Sequence, residues 1–266
     1  GIVSGVLLNV VLDPLLIFGL GLGLRGAALA TVLGQAVSFL ILFIMCRRLR
    51  STGVGMRLGS FSPRWHYVRE IIYGGSPSLS RQGLASISVV LLNLAAASYG
   101  DATVAAMSIV SRVTMFVMSV IVGLGQGFQP FCGYCYGAGL YARLRQGYWF
   151  TVKTGFVFLA IFAGVVYCFA EQTVALFRDD AIVIAVGSTA LRWHLVAYPL
   201  NAYIMTSNMM LQTTRRPLRA NLLASARRGL VFIPFILLLP HLFGLMGVAM
   251  CQAVCDVVTF LLAIPI

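Results

Sequence analysis

The sequence predicts an all-α integral membrane protein, and three observations carry that prediction. Of its 266 residues, 60% are hydrophobic and only 10% are charged, where a soluble domain averages about 45–50% apolar and about 25% charged. Mean hydropathy is +0.94. The apolar runs are helix-length, unlike the short alternating segments of a barrel. Basic residues fall mainly in short loops between those runs, where the positive-inside rule places them. The net charge of +12 is therefore assigned to anionic membrane lipids, not to nucleic acid.

Eight helices are expected, at 1–18, 24–46, 68–98, 102–136, 146–170, 181–212, 218–239 and 243–264. The first is no signal peptide, because it lacks a basic leading region and contains Asn9 and Asp13. The chain opens without methionine and in mid-helix, so a piece of a longer protein is expected. The third, fourth and sixth helices exceed the span of about 20 residues that a bilayer requires, so they should tilt, bend or protrude. Segment 47–70 carries Arg47, Arg48, Arg50, Arg57, Arg64 and Arg69 before its first acid, Glu70. Rich in Gly and Ser, it is expected to be a cytoplasmic linker between 1–46 and 71–266. Beyond it, basic loops (Arg143 and Arg145; Arg215, Arg216 and Arg219) alternate with loops that are acidic or nearly uncharged. An even-numbered bundle requires that alternation.

Glycine recurs through 123–139, with Gln126 and Gln129 beside Pro130. A proline-bent helix in lipid needs neighbours or water to satisfy its freed carbonyl. Two readings stay open here: a cavity wall including Gln126 and Gln129, or a close helix–helix contact with no solute nearby.

The stretch GLRGAALATVLGQAVSFLI at 23–41 aligns without gaps to GLMGVAMCQAVCDVVTFLL at 244–262. Gly23 matches Gly244 and Gly26 matches Gly247. Both copies run inward from a non-basic loop, the pattern of a parallel repeat with a site between the two halves.

Acids are scarce, and only Asp13 and Asp256 lie within apolar helices. A carboxylate in a membrane is costly and usually faces the bundle interior. Asn9 shares a helical face with Asp13, and Pro14 frees a carbonyl one turn back. These hard oxygens suit Na⁺, and the carboxylate alone suits H⁺. A polar packing pair is the alternative. In the second half, Arg81 and Gln82 are expected to cluster with Asp256, with Arg81 as its ion-pair partner. Arg112, Arg227 and Arg228 are expected to snorkel. Met205, Asn208 and Met209 are candidates for a cavity wall, since methionine surfaces adapt to many shapes. The six cysteines read as apolar packing residues. No metal or other cofactor is assigned, and no nucleophile–base pair marks an enzyme.

NVVLDPLLIF at 9–18, GLRGAALATVLGQ at 23–35, QGFQPFCGYCYGA at 126–138 and GLMGVAMCQAVCD at 244–256 together resemble the multidrug and toxic compound extrusion (MATE) family. Residues 81–112 are similar to its MepA-like branch. The resemblance implies helices 5–12 of a twelve-helix, two-lobe bundle. It also implies an inner (plasma) membrane antiporter, coupled to H⁺ or Na⁺, that exports small lipophilic, often cationic compounds. On that template Asn9, Asp13 and Thr31 form the ion-coupling set. Pro14 and Pro130 are expected helix bends from proline chemistry alone. A lipid-linked glycan flippase is the alternative, and would place Arg81, Arg112 and Arg192 along its groove. A non-transporting fragment is another.

Overall fold

The computed structural model describes residues 2–19, 21–48, 64–214 and 216–265. Most of the basic linker, 49–63, and Arg215 lie outside the described residues. The chain forms two compact units, Gly1–Trp65 and His66–Ile266.

The first unit is a helical hairpin. Helix α1 (Ile2–Pro14) passes into a π-turn at Leu15–Gly19, and α2 (Gly23–Arg48) returns along it. The π-turn begins directly after Pro14, where the missing N–H breaks the regular ladder. Glycine allows the close approach. A Cβ on Gly34 would lie 2.9 Å from the Gly5 carbonyl, and one on Gly26 would lie 2.7 Å from the Leu16 carbonyl. Small residues that let backbones touch are how membrane helices gain packing energy without a hydrophobic driving force.

The second unit takes in α3 (Trp65–Ala97) from His66 onward, then α4 (Asp101–Gly137), α5 (Tyr141–Cys168), the short α6 (Ala170–Ala175) and α7 (Ala181–Ala197). It continues through α8 (Asn201–Thr213), α9 (Pro217–Ser225), α10 (Phe232–Phe243) and α11 (Leu245–Ala263). Among the described residues, seven segments are long and apolar enough to cross a membrane, and Val3–Gly19 is a shorter apolar helix. The largest core cluster joins Val110 of α4, Leu191 of α7, Phe232 of α10 and Val248 of α11.

Two departures from regular α-helix shape this unit. Pro199 turns the expected helix 181–212 into α7, a 3₁₀ turn at Tyr198–Leu200, and α8. Between α9 and α10 a π-turn spans Ala226–Leu230, closed by the Val231 N–H on the Ala226 carbonyl at 3.0 Å. Helix α4 stays α-helical through Pro130.

The internal repeat has matching local geometry in the two units. Gly23 (φ 51°) and Gly244 (φ 59°) each precede or open a helix with left-handed backbone. Gly26 and Gly247 each press on a carbonyl of the preceding segment, Leu16 and Leu239 respectively.

Within the glycine-rich stretch, one face of α4 packs. Phe128, Cys132 and Cys135 bury against Leu144, Tyr148 and Val152 of α5, and Met209 sits over Gly125. Gly123, Gly127 and Gly137 face open space.

Candidate functional site

In the first unit, the Asn9 amide bridges two partners. With the amide oriented to satisfy both, its nitrogen donates to Asp13 Oδ2 at 3.2 Å and its oxygen accepts from the Thr31 N–H at 3.2 Å. The Thr31 hydroxyl is turned away and donates to the Ala27 carbonyl at 3.0 Å. The three residues implied by the family resemblance therefore meet, with Thr31 taking part through its backbone. Asp13 Oδ1 is buried and has no hydrogen-bond partner among the described residues. A buried carboxylate oxygen without a donor is costly, and a small cation or a proton would relieve that cost.

In the second unit, Asp256 is fully buried. Its partner is Arg227, with Nε donating to Oδ1 at 2.7 Å, so the expected Arg81–Asp256 pair does not form. Asn201 Nδ2 donates to Oδ2 at 2.8 Å, and Gln252 Nε2 reaches Oδ1 at 3.4 Å. Arg81 instead points a guanidinium nitrogen at the Met205 sulfur, 4.0 Å away. The expectation that Arg227 snorkels fails because the π-turn aims it inward, where Asp256 compensates its charge. Asn201 is held in turn by the Tyr198 carbonyl at 3.1 Å, beside Pro199. The Tyr198 hydroxyl donates to the Thr114 carbonyl of α4.

Two cavities flank the π-turn. One, of about 280 Å³, is walled by Arg81, Met118, Met205, Asn208, Arg227 and Arg228 among others. The other, of about 350 Å³, includes Ser88, Met107, Thr114, His194 and both arginines of the turn. Gln82 and Ala85 of α3 line both. Of the residues proposed from sequence, Arg81, Gln82, Met205 and Asn208 line the first cavity. Gln126, Gln129 and Met209 line neither, and Met209 is a core residue. Asp256 lies behind the wall. Arg112 and Arg192 line neither cavity, and Arg192 pairs with Glu171 at 3.2 Å. Sequence reasoning left Arg227 and Arg228 out of the site. The signal was two adjacent arginines in an otherwise apolar run.

A multi-pass helical membrane protein with buried charge and internal cavities is the class these features define. The chain belongs to the MatE family, whose family model matches residues 77–238. It is 29% identical over 266 residues to the multidrug export protein MepA of Staphylococcus saprophyticus, covering 100% of this chain and 58% of that protein. It is 28% identical over 248 residues to MepA of Staphylococcus aureus, covering 93% and 54%. Among solved structures, it is similar to an outward-facing multidrug resistance MATE family transporter of the MOP superfamily, at 28% identity and a TM-score of 0.87, over 98% of this chain and 59% of that one. A MOP superfamily transporter from Pyrococcus furiosus, described as having a binding pocket of reversed polarity, matches at 27% identity and a TM-score of 0.87, with the same coverage. The chain spans under two thirds of the length of these relatives.

Proposed function

We propose that this chain is part of a secondary-active antiporter of the plasma membrane that exports small lipophilic compounds, often cationic, in exchange for H⁺ or Na⁺. Its relatives named as multidrug export proteins support the solute class. The observation that carries the coupling role is Asp13. One of its oxygens is held by Asn9, and the other is buried and unpaired. Such a group gains from a visiting cation and loses when the cation leaves, so its occupancy can bias a two-state element. Pro14 and the π-turn after it supply a segment whose hydrogen bonding is already irregular. One positive charge moving inward contributes about 2.3 kcal/mol per 100 mV, roughly a 50-fold concentration ratio for an uncharged solute. Linker 47–70 is cytoplasmic in this reading, joining residues 1–46 of one lobe to the six-span lobe at 71–266.

The test is growth of a pump-deficient host expressing the intact gene product, in graded amounts of a lipophilic cation. Wild type should raise the tolerated concentration, and Asp13→Asn at equal membrane abundance should not. Equal protection by the two would remove the coupling role.

A further inference from the structure

The polarity of the cavities beside the π-turn points to a ligand other than a cation. Three guanidinium groups reach the smaller cavity, from Arg81, Arg227 and Arg228. The charge of Arg227 is met by Asp256, which already accepts from Arg227, Asn201 and Gln252. Among the described residues, no carboxylate lines either cavity. Among the described residues, Arg81 finds the Met205 sulfur, a weak acceptor. The Arg228 side chain makes no hydrogen bond or ion pair among the described residues, although it faces both cavities. Among the described residues, the walls thus carry two cations with no matching anion, inside a bundle where uncompensated charge is costly.

The backbone holds this arrangement in place. Arg227 and Arg228 both lie within the π-turn, and both line the cavity. On α3, Leu84 packs onto Gly229, where a Cβ would lie 2.9 Å from a Leu84 methyl. The Ser88 hydroxyl donates to the Arg228 carbonyl at 2.5 Å. Gln82, Asn201 and Asn208 add neutral polar groups to the wall, and Met118, Val122, Ile204 and Leu223 form its apolar part.

We propose that this cavity binds an anionic amphiphile, with a carboxylate or phosphate on Arg228 and Arg81 and an apolar body against Met118 and Val122. Guanidinium groups favour these oxyanions because their fork of donors matches two oxygens. This goes beyond the export reading. It concerns equilibrium binding in the second unit and does not depend on Asp13.

The experiment measures binding of three ligands of matched shape to the full chain in phosphatidylcholine nanodiscs: 2-naphthoate, 2-naphthylmethanol and 2-naphthylmethylammonium. Naphthoate should bind at least tenfold more tightly than the ammonium. Arg228→Gln should weaken naphthoate at least tenfold and leave the alcohol within twofold, and Arg228→Lys should recover part of the loss. Arg81→Gln supplies the same readout if Arg228→Gln does not fold. Replacing half the lipid with phosphatidylglycerol separates two sources of the anion. Competition identifies a lipid phosphate as the occupant, and unchanged affinity identifies a soluble carboxylate. Ammonium binding as tight as naphthoate, or naphthoate binding unmoved by both glutamine variants, would overturn the proposal. The readout is equilibrium binding by the second unit with no ion gradient, so failure here and failure of the coupling role are separate results.

Discussion

Arg227 and Asp256 form a buried ion pair, Nε to Oδ1 at 2.7 Å, that ties the π-turn between α9 and α10 to α11. Its two partners differ in what their loss leaves behind. Asp256→Asn strands a guanidinium and Arg227→Met strands a fully buried carboxylate. Each single change should cost about 3–5 kcal/mol, while an apolar replacement of both should cost far less. Thermal unfolding of the purified protein in one detergent, taken as a double-mutant cycle, measures this coupling. Additive losses would mean that the pair is not a unit.

Glycines of this chain should respond to alanine with opposite signs. At Gly26 a Cβ would meet the Leu16 carbonyl at 2.7 Å, and backbone cannot yield as a side-chain tip can. At Gly127, inside α4, nothing lies within 4 Å. Gly26→Ala should therefore destabilise, and Gly127→Ala should stabilise by roughly 0.5–1 kcal/mol through helix propensity. Midpoints of thermal unfolding for the two variants test the contrast.

Tyr148 of α5 and Ser207 of α8 share a buried hydrogen bond of 2.7 Å. Ser207→Ala leaves the phenol without this partner, and should cost about 1–3 kcal/mol. Tyr148→Phe combined with Ser207→Ala removes both polar groups and should recover part of that loss. Unfolding midpoints of the three variants decide it.

Much of the fold could be read from composition and spacing, because lipid forces every span into a helix that satisfies its own backbone. The expected ends at 102–136 and 68–98 lie within a few residues of α4 and α3. The Gly26 and Gly247 contacts were legible as a repeat, since only glycine admits a carbonyl that close. Asn9 and Asp13 were legible because one helical turn separates them. The Arg227–Asp256 pair was not. Reading 218–239 as one uniform helix fixes a 3.6-residue period, and the π-turn at Ala226–Leu230 shifts that phase. Nothing in the sequence shows that Arg227, and not Arg81, is the cation that turns toward Asp256. Polarity alone marks Gln126 and Gln129, and polarity cannot tell one face of α4 from another.

Asp13 in an apolar helix, half satisfied by Asn9, is the centre of the account. Its most direct test is efflux of radiolabelled tetraphenylphosphonium by membrane vesicles carrying the intact gene product, under an imposed proton gradient and then an imposed sodium gradient. Wild type should respond to one of the two gradients, and Asp13→Asn should lower that gradient-driven rate at least tenfold at equal protein abundance. A variant that transports at the wild-type rate under the same gradient would contradict the account.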